Sequence, residues 1–419
     1  MRTGAPSKRQ GSRSVLLGDY NERVILSTLR RLGPASKADL ARRVGLTSNA
    51  AGVIARKLED SGLVRTVGKR YGGRGQPATI LELNPEGAYS VGVRIDRDLV
   101  ETVLVDFRGA ILHRSRLDAL PEPAAAVAAV ADSVKRFRKA LGPSRRSRIA
   151  GIGLATPYNL GSWLAELDLP GGTLAAWDGF DAKSALAAAT GLPVLLENDG
   201  SAAAVGELIY GHGREHDDFL YLFIGPAIGG GVVLGGASLS GRHANAGDVA
   251  VMPVGPSGLA SGPPAPKGHL PLMARASLAA LSRHLRSRGA DLASLNVAEA
   301  AAADPEGFAE WRRDAADALA RPVLTSVHLL DIDHVVVAGD LPPVLLDSLI
   351  AQLQEALAAA VAESRRPPTV LAGAIGHDAG AIGAASLPLH VSFSPLTGVL
   401  TGDEPRIATE GSRTLMEVA

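Results

Sequence analysis

The stretch NERVILSTLRRLGPASKADLARRVGLTSNAAGVIARKLEDSGLV (residues 21–64) decides how the chain begins. Val24, Ile25, Leu29 and Leu32 recur at helical spacing, and Gly33 with Pro34 stops that run. Ser36, followed three residues later by Asp39, is a variant of the capping box and opens a short second helix that Gly45 closes. Thr47 stands where a third helix needs its N-cap, with Val53, Ile54 and Leu58 as the expected apolar face and Gly62 as the stop. Extended runs at 63–66 and 78–83 bracket the basic, glycine-rich segment GKRYGGRGQPA (68–78).

Three short helices followed by a basic hairpin describe a winged helix-turn-helix. Charge supports that reading. The chain is balanced at 43 basic and 43 acidic residues, yet residues 1–85 hold 16 Lys/Arg against 6 Asp/Glu, and the remainder 27 against 37. A basic head on an acidic body suits a polyanionic partner, double-stranded DNA, for the head alone. The N-terminal end of a recognition helix reaches base edges in the major groove, which makes Ser48, Asn49 and Ala51 the candidate readers. Arg56 can reach a phosphate, and Arg70 and Arg74 of the wing suit an adjacent minor groove. The same basic face could instead bind another protein, but the ordered caps and wing favour DNA.

Outward from the head, 419 residues at 46% hydrophobic leave room for two or three domains with ordinary cores. The absence of cysteine excludes disulfide scaffolds, thiolate metal sites and cysteine nucleophiles, and fits a cytoplasmic location. No apolar run of signal-peptide length occurs in the first 20 residues, and the charge-free stretch 219–241 is broken by Pro226 and glycines, so no membrane partner is expected. Residues 1–16 read as a disordered basic arm. From Ala88 onward strand-like runs alternate with Ala-rich helical runs, the pattern of an α/β body in two lobes.

The body also carries a resemblance. VLVDFRG (103–109), GLPVLLENDGSAAAVGEL (191–208), IGPAIGGGVVLGG (224–236), NAGDVAVMPV (245–254) and GHDAGAIGAASL (376–387), together with the head, resemble the ROK family of repressors, open reading frames and sugar kinases. The resemblance spans about residue 18 to residue 390. It implies a winged helix-turn-helix followed by a two-lobed actin-like (ribonuclease H-like) fold with ligand between the lobes. On that scheme the head covers 17–86, the first lobe 87–210 plus 376–395, the second lobe 211–375, and a tail 396–419.

The family's chemistry is only partly preserved. Asp199 matches the carboxylate that takes the sugar hydroxyl proton in kinase members, beside Asn198, which matches a sugar-binding residue. Without the family match, the same pair also reads as a turn or helix cap. The first phosphate loop, D-I-G-G-T in kinases, aligns here with Arg94-Ile95-Asp96-Arg97-Asp98, and the second carries Pro226, which has no N–H to offer a phosphate. The family's zinc-binding His and Cys motifs are missing, so neither metal nor cofactor is expected. Ligand contacts implied by the resemblance are Asn198, Asp199 and Asp248, with Asn159 and Trp177 as polar and aromatic supplements; the aromatic rings serve equally well as lobe packing. The resulting expectation is a transcriptional regulator, a repressor, that senses a sugar or sugar derivative in a catalytically inactive body. It would act on operator DNA as a homodimer or homotetramer. The alternative is a bifunctional regulator that retains sugar kinase activity.

Overall fold

The computed structural model describes residues 9–396 and 400, apart from 72–76, 119–120, 159, 162–166, 168–170, 173 and 293–295, with side chains described from Leu16. Arg74, Asn159 and the tail from 401 therefore lie outside the described residues.

In the head, helix α1 (Arg9–Leu32) leads into the two-residue strand β1 (Ala35–Ser36), α2 (Lys37–Val44) and α3 (Ser48–Asp60). Strands β2 (Val64–Arg70) and β3 (Ala78–Leu83) form the wing, with sheet order β1–β3–β2. The local signals act as read. Ser36 Oγ accepts from Asp39 N at 3.1 Å while Asp39 accepts from Ser36 N, and Gly45 closes α2 at φ +70°. Thr47 caps α3 through Ala50 N at 3.2 Å. Two readings are corrected. Residues 9–16 are helical rather than disordered, because extending a nucleated helix gains one hydrogen bond per residue fixed. The apolar face of α3 is Ala51, Ala55 and Leu58, each about 1% exposed, whereas Val53 is 65% exposed.

The first body sheet contains β4 (Tyr89–Ile95), β5 (Leu99–Asp106), β6 (Ile111–Asp118), β7 (Ile149–Thr156) and β8 (Val194–Asn198). Helices α4 (Pro123–Arg146) and α5 (Ala182–Thr190) belong to this lobe, and α6 (Asp199–Tyr210) follows β8. The second sheet contains β9 (Phe219–Ile224), β10 (Ile228–Leu234) and β11 (Ala237–Ser238). A small β12 (Pro253–Val254) and β13 (Leu270–Pro271) pair brackets the Gly/Pro loop. Helices α7 (Met273–Ala276), α8 (Leu278–Ser287), α9 (Val297–Ala303) and α10 (Pro305–Leu330) lead to β14 (His334–Gly339), α11 (Pro343–Ala360), β15 (Thr369–Ala372) and α12 (Ala379–Phe393).

The two sheets run β6–β5–β4–β7–β8 and β11–β10–β9–β14–β15. In each, three antiparallel strands in chain order are followed by two parallel ones, so one topology is used twice. Strand β6 was not read from sequence: ILHRSRLD alternates weakly and is mostly exposed at the sheet edge. Helix α12 packs on β4, β7 and α6. Its backbone lies so close to the sheet that a Cβ at Gly92 or Gly153 would collide with Ala381 and Ala384 carbonyl oxygens respectively.

Head and body share one apolar cluster. Ile25, Leu26 and Leu29 of α1 belong to it with Val103, Val105 and Phe107 of the first lobe and Ala381, Ala385 and Leu389 of α12. Arg23 donates to Val391 O at 2.8 Å, and Arg31 pairs with Asp217. The head is therefore seated on the body rather than hung from it.

Candidate functional site

On the head, Ser48, Asn49, Val53 and Arg56 are exposed along α3. Ala51 is corrected: at 1% exposure it belongs to the core of the head and has no route to a base edge. Arg70, the last residue of β2, is held by Asp39 (2.8 Å), the same carboxylate that caps α2 and pairs with Arg42. The wing arginine is thereby oriented by the first turn of α2. Arg42, Arg43 and Lys69 are exposed around these groups.

In the body, the junction of β8 and α6 positions the Asn-Asp pair. Asn198 Oδ1 accepts from Gly200 N (3.0 Å) and Ser201 N (3.3 Å), so this residue is also the N-cap of α6. Asp199 follows in the first turn, half-buried, accepting from Gly200 N at 2.9 Å. A Cβ at Gly200 would meet the backbone of Gly230 at 2.5 Å, and one at Gly230 would collide with Gly247 O. The Asn-Asp pair and the turn bearing Asp248 thus flank one glycine strand. Asp248 is exposed and accepts from Asn245 Nδ2 at 2.8 Å. Trp177 is 9% exposed and packs into the first-lobe core, edge-on to Phe180, so its ring serves packing rather than the cleft.

The first phosphate-loop position is filled by the chain itself. Arg94, 7% exposed, pairs with Asp96 at 2.8 Å and lies 5.6 Å from the Phe223 ring centroid. Arg97 faces the same carboxylate at 3.9 Å. Burial alone would lower the Arg94 pKa, but Asp96, Asp340 and Asp199 together raise it. The Asp199 carboxyl is pushed up to about 6, first by desolvation and then by the charge of Asp96, which outweigh the attraction of Arg94. Asp340 is likewise raised, chiefly by burial. Arg94 comes from the first lobe, whereas Phe223 and Asp340 come from the second, so this cation bridges the lobes.

The second loop makes the β9–β10 turn, and the carbonyls of Gly225 and Pro226 are taken: Leu278 N donates to Gly225 O (2.8 Å) and Ala279 N to Pro226 O (3.3 Å). Beside it lies a cavity of about 560 Å³ lined by Arg94, Arg114, Arg116, Pro226, Arg286 and Asp340, among others. Asn198, Asp199, Asp248 and Trp177 are not among the described residues that line it. Asp340 was missed in sequence, although its place just after the C-terminal end of a parallel strand is where α/β sheets set functional groups. Arg114 was missed because β6 was.

The Gly/Pro loop between β12 and β13 is fastened by an ion pair. Asp314 accepts from Ser257 Oγ (2.9 Å), Gly258 N (2.9 Å) and Arg275, whose guanidinium also reaches Gly255 O and Asp317. Among the described residues no group of three or more His, Cys, Asp or Glu is arranged to hold a metal ion. Nor is any helix there long and apolar enough to cross a membrane.

Residues 90–390 match the family model described as ROK family. The chain belongs to the ROK family. Residues 19–65 of this ROK chain separately match a model described as winged helix-turn-helix DNA-binding. An uncharacterized Sinorhizobium fredii protein, y4fQ, is 28% identical over 379 residues, 89% of this chain and 91% of its own length. The xylose repressor of Bacillus subtilis is 26% identical over 215 residues; that segment is 51% of this chain and 55% of the repressor. Among solved structures, a ROK family transcriptional regulator described as a homologue of the E. coli MLC protein superposes with a TM-score of 0.64 at 20% identity. It covers 92% of this chain and all of its own. That likeness establishes the shared architecture, winged helix-turn-helix plus actin-like ROK body.

Proposed function

We propose that this ROK protein is a DNA-binding transcriptional repressor whose interlobe cleft senses a sugar or sugar derivative and does not phosphorylate it. One observation carries the reading: a DNA-binding head is fused to a kinase-like body whose first phosphate loop is occupied by the Arg94–Asp96–Arg97 cluster. A triphosphate approaching that cluster would meet Asp96, Asp199 and Asp340 as like charges, and Pro226 lacks the N–H that a glycine would offer. The similarity to xylose repressors supports both the sugar and the repressor role. Asn198, Asp199 and Asp248 are the proposed ligand contacts. The effector meets the cleft and the operator meets Ser48, Asn49, Arg56, Arg70 and Arg74, in a cytoplasmic homodimer or homotetramer that needs no metal or cofactor.

Helix α12 supplies the physical link between the two sites. Near its start, a Cβ on Gly380 would meet the Arg94 side chain at 2.8 Å, and near its end Val391 accepts from Arg23 of α1. A ligand that changes lobe closure therefore acts on the seat of the head. The test is a reciprocal titration of the full chain with a duplex selected from a random library and a panel of unlabelled sugars. An effector must change DNA affinity by the same factor as DNA changes effector affinity. Asp199→Ala should abolish the response and leave ligand-free DNA binding intact. Turnover of ATP with any of those sugars, above that of Asp199→Ala, would overturn the inactive-body reading. Full ligand response in that variant would place the sensor elsewhere.

A further inference from the structure

Val53 is the one exposed apolar side chain on α3. The other apolar residues of the helix, Ala51, Ala55 and Leu58, are buried, and Ala50 and Ile54 are half-buried. Val53 follows Asn49 by four residues and precedes Arg56 by three, so the three side chains share the outward face. Next to it Gly52 presents no side chain, and a Cβ built there meets nothing within 4 Å. The face is thus open enough for close approach, and the exposed Arg42, Arg43 and Arg56 around it complement a phosphate backbone. An isopropyl group at 65% exposure between an amide and a guanidinium is left uncovered by the described residues.

In the major groove the C5-methyl of thymine is the apolar group that projects from a base edge; cytosine offers only a C5–H at the same place. Pressing Val53 against a purine N7, O6 or N6 group would strip water from a polar atom without replacing its hydrogen bond, and a cytosine C5–H offers no methyl to contact. We propose that Val53 is a specificity-determining residue that reads the methyl group of one thymine in each half-site. This rests on the DNA-reading head proposed above. Asn49 and Arg56 then fix the helix on either side of that contact, and Val53 sets the preference for T over C at its own position.

The experiment uses the full chain. A duplex motif is selected from a random library by the wild-type protein, and each thymine in it is replaced singly by uracil, which removes only the methyl. One replacement per half-site should weaken wild-type binding about fourfold, the worth of one methyl contact. The same replacement should leave Val53→Ser unaffected, while Val53→Thr, which keeps a branch methyl, retains sensitivity. Because Val53 is exposed, circular dichroism should show both variants folded. Equal losses in wild type and Val53→Ser, or no loss at any thymine, would overturn the proposal while leaving DNA reading intact. Failure of the wild type to select any motif would instead remove the DNA-reading head itself, and this inference with it.

Discussion

Replacing Asp199 by Asn should stabilise the protein at neutral pH, and the structure sets the size of the effect. The carboxyl is raised from 3.8 to about 6 because burial and Asp96 disfavour its charge more than Arg94 favours it. A group with a raised folded-state pKa holds its proton in the folded chain after the unfolded chain has released it. Its penalty is absent below about pH 4, grows between about pH 4 and 6, and is complete above. A shift of about two units corresponds to roughly 3 kcal/mol, a ceiling because Asp199 keeps some contact with the cleft solvent. Asn preserves the acceptor for Gly200 N while removing the charge. Urea unfolding of wild type and Asp199→Asn from pH 4 to 8 measures this, with the difference between the curves as the readout. That difference matters because Glu197, pushed up to about 7 by burial, gives both proteins a second pH dependence. The difference should be near zero at pH 4 and reach at most about 3 kcal/mol by pH 7, or up to roughly 6 °C in melting temperature. A variant less stable than wild type at pH 7, or a difference that is flat with pH, would refute the reading of Asp199 as a charge the cleft holds under strain.

Arg94→Met removes the cation facing Asp96, Asp199 and Asp340, and should cost about 3–5 kcal/mol at pH 7, less at pH 5, where Asp199 is already largely protonated; thermal melts at the two pH values check it. Asp314→Ala leaves Arg275 buried without its closest partner and frees Ser257 and Gly258, with a similar loss of about 3–5 kcal/mol. Limited proteolysis should then cut first within the 255–262 loop. Arg70→Ala should weaken binding on all duplexes and lower the salt slope by about one, whereas Asn49→Ala should relax preference at one base pair by roughly 1–3 kcal/mol. Competition titrations at several salt concentrations separate the two.

The sequence by itself determined what depends on neighbours along the chain. Caps at Ser36 and Thr47, the stop at Gly45 and the glycine and apolar runs of the body act within a few residues, so the winged head and most of the α/β alternation were legible. The departures at Asp96, Arg97 and Pro226 were legible only through the resemblance to the ROK family's phosphate loops. Only the tertiary structure decided which side of α3 faces outward, since Val53 and Ala51 exchange their expected roles according to what packs beneath the helix. Only it brought Arg94 of one lobe to Asp340 and Phe223 of the other, across 246 residues in the case of Asp340, because a charge cluster between lobes has no local spacing to betray it. The seating of α1 on α12 is of the same kind. Val24, Ile25, Leu29 and Leu32 read as an amphipathic stripe, and a stripe states that something covers it, while what covers it, and that Leu26 is buried with Ile25 and Leu29 as Leu32 stays exposed, belongs to the assembled surfaces.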